Sequence, residues 1–235
     1  MPIKRPQLVN GEIYHLVLRA IEGFKLFRNQ KDYFRMVDDL FEFNDDGPTS
    51  SSYRHGKIPR TLLGMGGRRL LIEVLAFCLM PNHLHLLVRQ LKQGGISKFM
   101  RKIGAGYGGY YNKKYQRRGR LFDGRYRIVH VKTDNQLKIV FVYIHTNPVA
   151  ILIHNWKEKG ISAREFQKAL KFLENYRWSS YPDYLGKKNF PSLTSREFLL
   201  REMDGVREAR RFVNDWLREK KKLRETPTLK EIGLE

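Results

Sequence analysis

One cysteine, Cys78, is the whole thiol content of the 235-residue chain. That excludes an internal disulfide and any zinc site built on several thiolates. Long apolar runs are absent too. None approaches the roughly 20 residues that span a bilayer, and the opening MPIKRPQLVNGEIYHLV lacks the apolar stretch of a secretory signal. There is no internal repeat and no low-complexity segment. The expectation is a cytoplasmic protein with no membrane partner. Negative charge is the scarcest commodity: 24 Asp and Glu stand against 45 Lys and Arg, a formal net charge of +21. Such an excess points to a polyanionic partner, because each phosphate neutralised releases condensed counterions. A basic surface that only keeps the protein soluble is the competing explanation. A membrane surface ranks lower, since the basic residues are spread along the chain rather than gathered on one amphipathic helix.

Hydrophobic residues at 41% and aromatics at 12% are enough for a packed core. GEIYHLVLRAI (11–21) reads as a strand, and NQKDYFRMVDDLFEF (29–43) as a helix with Phe34, Val37, Leu40 and Phe41 on one face. A polar loop follows at 44–60. RLLIEVLAFCLM (69–80) and HLHLLVRQ (83–90) form a hairpin about a turn at Pro81 and Asn82. Residues 95–116 begin as a helix capped at Ser97, weakened by four glycines. RIVHVK gives a fourth strand, and 134–147 a helix capped by Asp134 and stopped by Pro148, which disfavours helical geometry at Asn147. The order is strand, helix, strand, strand, helix, strand, helix: an α+β fold with helices on one face of an antiparallel sheet. Beyond residue 155 the pattern is helical. SARE (162–165) and TSRE (194–197) read as capping boxes, and 206–225 as a long basic helix with Phe212, Trp216 and Leu217 as its apolar contacts.

Inside the third strand, CLMPNHLHLLV carries His83 and His85. Side chains alternate along a strand, so the two imidazoles face one way while Leu84, Leu86 and Val88 face the other. Two histidines at this spacing read equally as ligands converging on one metal ion or as structural residues. Tyr143 and Asn147 lie one helical turn apart on the same face. Asn147 can offer a carbonyl oxygen to a cation, and a tyrosine beside that cation can act as a nucleophile. On helix spacing alone, a buried aromatic with a satisfied hydroxyl is the simpler account of Tyr143.

Taken together, CLMPNHLHLLV, YIHTNPV and RWSSY resemble the single-tyrosine transposases of the HUH superfamily, and within them the REP-associated tyrosine transposases. The aromatic and basic segment between the first two motifs, ending in a G-x-L-aromatic-x-x-R element at Gly119 to Arg125, is similar as well. The resemblance spans residues 12 to 185. It implies a ferredoxin-like (RRM-like) HUH endonuclease fold over 1–185, with 186–235 a basic helical extension. It further implies that His83, His85 and Asn147 bind Mg²⁺ or Mn²⁺. Tyr143 would then attack single-stranded DNA through a 5′-phosphotyrosine intermediate, the strand being recognised as a hairpin by a monomer or homodimer. Three positions depart from the family pattern. His145 stands in place of an acidic residue and is expected as an exposed side chain. Ala150 replaces a basic residue, and Phe122 a tryptophan whose packing or stacking role it should keep.

The nucleic acid is expected along the middle segment. Arg101, Lys102, Lys113, Lys114, Arg117, Arg118, Arg120, Arg125 and Arg127 alternate there with aromatics, Tyr126 among them, opposed only by Asp123. Cations that follow a backbone and rings that stack on unpaired bases are the ingredients of single-strand binding. Tyr107 and Tyr111 are expected as core contacts. Two other readings compete with the enzyme. One is a hairpin-binding protein, catalytically silent or domesticated, which would be free to lose Tyr143 or a histidine. The other is an RNA-binding ferredoxin-like domain, whose RNP-type aromatics are not found.

Overall fold

The computed structural model describes residues 5–47 and 68–223, the last five by their backbone alone. Four strands, β1 (Ile13–Arg19), β2 (Ile72–Met80), β3 (His83–Gln90) and β4 (Arg127–Val131), form one sheet in the order β2-β3-β1-β4. Every neighbouring pair is antiparallel. Helix α1 (Gln30–Glu42) connects β1 to β2, and α2 (Gly95–Lys114) connects β3 to β4. The order of elements is the one read from the sequence, and the βαββαβ arrangement is the ferredoxin-like one that the family resemblance implies. Most of the 44–60 loop lies outside the described residues.

Strand register sorts the sheet into two unlike faces. Tyr14, Leu16 and Leu18 of β1 pair with Val88, Leu86 and Leu84 of β3, and all are buried. Gln90 shares their parity and accepts a hydrogen bond from the Ile96 N–H of α2, so this apolar face carries α1 and α2. The opposite face presents His15, Val17 and Arg19 from β1 and His83, His85 and Leu87 from β3. Cys78 and Met80 of β2 lie cross-strand from His85 and His83. That face carries α3 (Asp134–Thr146), which packs on β2 and β3. The expectation of helices on one face thus describes α1 and α2; α3 covers the other, because the polar stripe of β1 and β3 also has to be enclosed.

Past α3 come α4 (Val149–Leu152), α5 (Trp156–Lys159), α6 (Ala163–Asn175), α7 (Tyr181–Tyr184), α8 (Glu197–Glu202) and α9 (Val206–Leu223). Helix α9 lies along α3 and buries Ala209, Val213, Trp216 and Leu217. No helix among the described residues is long and apolar enough to cross a membrane.

Helix caps differ from expectation in three places. Gly94, in a left-handed conformation, precedes α2, so Ser97 lies inside the helix. Thr133 rather than Asp134 caps α3, its side chain accepting from the Gln136 N–H. Arg196 precedes α8 without a side-chain bond, and Thr194 is buried instead of capping. The Ser162–Glu165 box at α6 forms as expected.

The glycines of α2 do not break it. Gly106 faces α1, where an added Cβ would sit 2.3 Å from the ring of Phe43, whereas a Cβ at Gly104 meets nothing within 4 Å. Close approach of two helices explains one glycine and leaves the other as a propensity cost. Gly106→Ala should therefore lower unfolding stability by about 1–3 kcal/mol through overpacking. Gly104→Ala should raise it by up to about 1 kcal/mol through helix propensity. Urea denaturation of the two variants measures both signs.

Candidate active site

His85 is buried and His83 partly so, with ring centroids 4.8 Å apart. Each has its Nδ1 engaged. His83 Nδ1 lies 2.7 Å from Asn82 Oδ1, and His85 Nδ1 lies 3.0 Å from Nε2 of His15 on the neighbouring strand. Burial lowers the pKa of His83 to about 3, aided by the charges of Arg19 and Lys157. His85 is held well below its usual value by burial, then by His15, His83, Lys157 and Arg19. Both rings are neutral at physiological pH, the form in which imidazole ligates a metal.

Helix α3 brings Tyr143 down onto this pair. The tyrosine ring stands edge-on to His85 at 5.5 Å and to His15 at 6.1 Å. Burial raises the pKa of its hydroxyl, against opposing effects of Arg19 and Asn147. Asn147 follows at the end of α3. Its Nδ2 donates to the Tyr143 carbonyl at 2.8 Å, and its Oδ1 accepts from Lys157 Nζ at 3.0 Å. The same ammonium sits 4.5 Å from the centre of the Tyr143 ring. Pro148 does not push Asn147 out of helical geometry as expected: Asn147 keeps φ −51° and ψ −40°. Pro148 itself, at φ −60°, opens α4, so the chain continues almost helically across the boundary.

His145 is fully buried, not exposed. Two residues beyond Tyr143 on α3, it places Nε2 2.7 Å from Ser180 Oγ. Ser180 Oγ also accepts from the Phe77 N–H of β2 at 3.0 Å. The RWSSY segment closes the free edge of β2: the Leu79 N–H donates to the Trp178 carbonyl, and the Ser180 N–H to the Phe77 carbonyl. The tyrosine helix is thereby fastened to the same strand that borders His83 and His85.

Residues 60–147 match the family model described as "Transposase IS200 like". The match runs from before β2 to Asn147 and so contains both histidines, the tyrosine and the amide. The match covers a little over a third of the chain. No curated protein matches the chain. Among solved structures, one of a REP-associated tyrosine transposase bound to a REP hairpin is similar in fold, with a TM-score of 0.50 at 14% identity. It covers 84% of this chain and 93% of its own.

On this fold the basic residues divide into two groups. Arg101, Lys113, Arg118, Arg120, Arg125 and Arg127 are exposed. Lys102 and Lys114 are committed to the protein itself. Lys102 Nζ donates to the carbonyls of Asp45 and Gly47. Lys114 Nζ reaches Asp32 Oδ1 at 2.5 Å, and Tyr110 and Tyr115 donate to the same carboxylate. Burial would raise the Asp32 pKa, but the bonds from Lys114, Tyr115, the Arg28 N–H and Tyr110 outweigh it and hold it below its usual value. Arg117 donates to the Arg120 carbonyl and lies over the ring of Phe24. Tyr126 is partly buried beneath Arg5. Phe122, Tyr107 and Tyr111 are core residues, which assigns Phe122 to packing.

Three residues at the site escaped the sequence reading: His15, Arg19 and Lys157. The first two sit on β1 at the correct parity, but only the register Val17 to His85 and Arg19 to His83 brings them beside the histidines. Lys157 arrives through the turn after α4, for which no periodic pattern exists.

Burial lowers the pKa of His145 to about 3, so its folded value lies below its unfolded value of 6.5. Between those values the unfolded chain binds the extra proton. The contribution of His145 is complete above pH 6.5 and is lost as pH falls toward 3. Asp38 and Asp39, raised by burial to about 6 and about 7, act in the opposite sense, so the test is a difference between proteins. From pH 6.5 to 5, urea denaturation should show wild type losing about 1 kcal/mol per pH unit more than His145→Gln. Parallel curves would contradict a neutral buried His145.

Proposed function

We propose that the chain cleaves and rejoins single-stranded DNA through Tyr143, with His83, His85 and Asn147 holding a divalent cation, Mg²⁺ or Mn²⁺. The observation that carries this reading is the seat of Tyr143, 5.5 Å from His85 in the same chain and one turn before Asn147. In cleavage, Tyr143 Oη forms a bond to phosphorus while the bond from phosphorus to O3′ breaks. The 5′ end stays on the tyrosine and the 3′ oxygen leaves as a hydroxyl. In rejoining, a 3′ hydroxyl attacks the phosphotyrosine and releases Tyr143. The bond energy is conserved in the tyrosyl ester, so no nucleotide cofactor is required.

The donor set suits such a cation. Two neutral imidazoles with Nδ1 already engaged offer Nε2 for ligation when the proton sits on Nδ1, and an amide oxygen adds a hard donor. Among the described residues no three His, Cys, Asp or Glu side chains converge as a metal site; the third donor in the proposed set is the Asn147 amide, as the family resemblance implies. When bound, the cation supplies neutralising charge at the phosphate oxygens. Lys157 adds a positive charge beside the nucleophile, and Arg19 another beside His83. Because Tyr143 meets the histidines of its own chain, a monomer carries every residue the reaction needs.

For the DNA, the exposed basic residues of 101–127 offer the track, and we extend to this chain the partner of its structural neighbour, a DNA hairpin. Labelled single-stranded oligonucleotides with hairpins, incubated with Mn²⁺ or Mg²⁺, should give a protein-sized covalent adduct on a denaturing gel. Tyr143→Phe should abolish it, and His85→Ala should reduce its rate of formation by about 100-fold or more. Tight binding without an adduct under either metal would replace the enzyme with a hairpin-binding protein. The DNA track has its own signature. Replacing Arg118, Arg120 or Arg125 with Gln should each reduce the slope of log affinity against log salt by about 0.7 for a single strand. Lys114→Gln should leave that slope unchanged and lower stability instead, because Asp32 loses its cationic partner.

A further inference from the structure

His15 is a buried imidazole that the proposed chemistry leaves unused. Its ring lies parallel to that of His85 and meets it edge to edge, with centroids 5.2 Å apart, planes 8° from parallel and Nε2 3.0 Å from His85 Nδ1. A contact of that length between two neutral rings holds one proton, on one nitrogen or the other. If His15 Nε2 carries it, His85 accepts through Nδ1 and keeps its own proton on Nε2, where no lone pair remains for a cation. If His85 Nδ1 carries it, Nε2 of His85 is a ligand. The second arrangement places the proton of His15 on Nδ1, which is buried without a hydrogen-bond partner. His83 is built the same way, with Nδ1 2.7 Å from Asn82 Oδ1, an acceptor that fixes the proton on Nδ1 and frees Nε2.

We propose that His15 is a positioning residue for His85: with a divalent cation on Nε2, His85 donates its Nδ1–H to His15, as His83 donates to Asn82. The inference rests on the metal-binding reading of the site and names what orients its most buried ligand. Partners behind a ligating histidine fix its tautomer and ring orientation and raise its basicity. A neutral imidazole in that role, supplied by the adjacent strand, is unusual in having no further partner of its own among the described residues.

The experiment is a Mn²⁺ titration of the full chain without DNA, read by the free-ion electron paramagnetic resonance signal. His15→Leu removes the acceptor and should weaken Mn²⁺ binding by about 10–100-fold. His15→Gln, which keeps an acceptor near the former Nε2, should recover most of that loss. A residue that only fills space would alter thermal stability in both variants and leave Mn²⁺ affinity alone. Equal affinity in wild type and His15→Leu overturns the inference while leaving the metal site standing. If wild type itself fails to bind Mn²⁺, or binding survives the double replacement His83→Ala and His85→Ala, the metal-site reading falls first. Should His15→Leu fail to fold, ¹⁵N-resolved histidine spectra of wild type with Mg²⁺ decide the matter. A proton on His85 Nδ1 supports the inference, and ligation through Nδ1 with the proton on Nε2 overturns it.

Discussion

A layer of polar side chains is enclosed between the sheet and α3, and the rest of the molecule is arranged around keeping it satisfied. An unpaired buried polar group costs about 1–3 kcal/mol, so such a layer survives only where partners are built in. His85 has His15, and His145 has Ser180. Asn147 has Lys157 on one side and the Tyr143 carbonyl on the other. Ser180 matters twice, since the hydroxyl that meets His145 on α3 also takes the Phe77 N–H at the edge of β2. One side chain thus ties the tyrosine helix to β2, the strand that borders His83 and His85. Helix α9 closes the arrangement by covering the outer side of α3.

The electrostatics of the enclosed layer run against intuition for a cation site. Arg19 and Lys157 lower the pKa values of His83 and His85 beyond what burial does, and no carboxylate is among the donors proposed. A positive field keeps the imidazoles deprotonated and ready to ligate, yet it repels the divalent ion they would hold. The two effects are reconciled by the substrate. In the proposed reaction a phosphodiester would bring negative charge to the place where Lys157 and the imidazoles converge, and would supply oxygen donors beyond the two imidazoles and one amide. Affinity for metal and affinity for DNA would therefore be coupled in that proposed reaction, each raising the other by the same factor. Burial raises the pKa of the Tyr143 hydroxyl, and Arg19 and the Asn147 side chain oppose that rise.

Much of the fold was legible because strands repeat every two residues. Leu84, Leu86 and Val88 against His83 and His85 gave the two faces of β3 from alternation alone, and β3 occupies the expected residues 83–90. Local signals did less well where tertiary contacts compete with them. Ser97, Asp134 and Thr194 are all good capping types, but the chain enters α2, α3 and α8 one or more residues earlier or later, so Gly94, Thr133 and Arg196 take those places. His145 was expected in solvent because a polar residue on a short helix usually faces water. It is buried because α9, α7 and the RWSSY segment surround α3, and no pattern within α3 announces that. His15 and Lys157 needed strand register and a turn path respectively, neither of which the sequence encodes in a short motif.

The C-terminal helix carries two kinds of information on opposite sides. Its apolar side, with Ala209, Val213, Trp216 and Leu217, is spent on its neighbours, chiefly α3, while Arg207 and Arg211 remain largely exposed on the other. A contact between this helix and a hairpin stem can therefore involve only its basic side. Removing the helix would strip the support from α3 and disturb Tyr143 whether or not the helix touches DNA, so loss of hairpin binding on truncation would carry no message about contact. Neutralising the exposed arginines separates the two roles, since it leaves the buried side, and with it the seat of the tyrosine, in place. The helix that braces α3 is then also the one whose free side faces solvent with positive charge, and a stem bound there would be separated from Tyr143 by α9 itself.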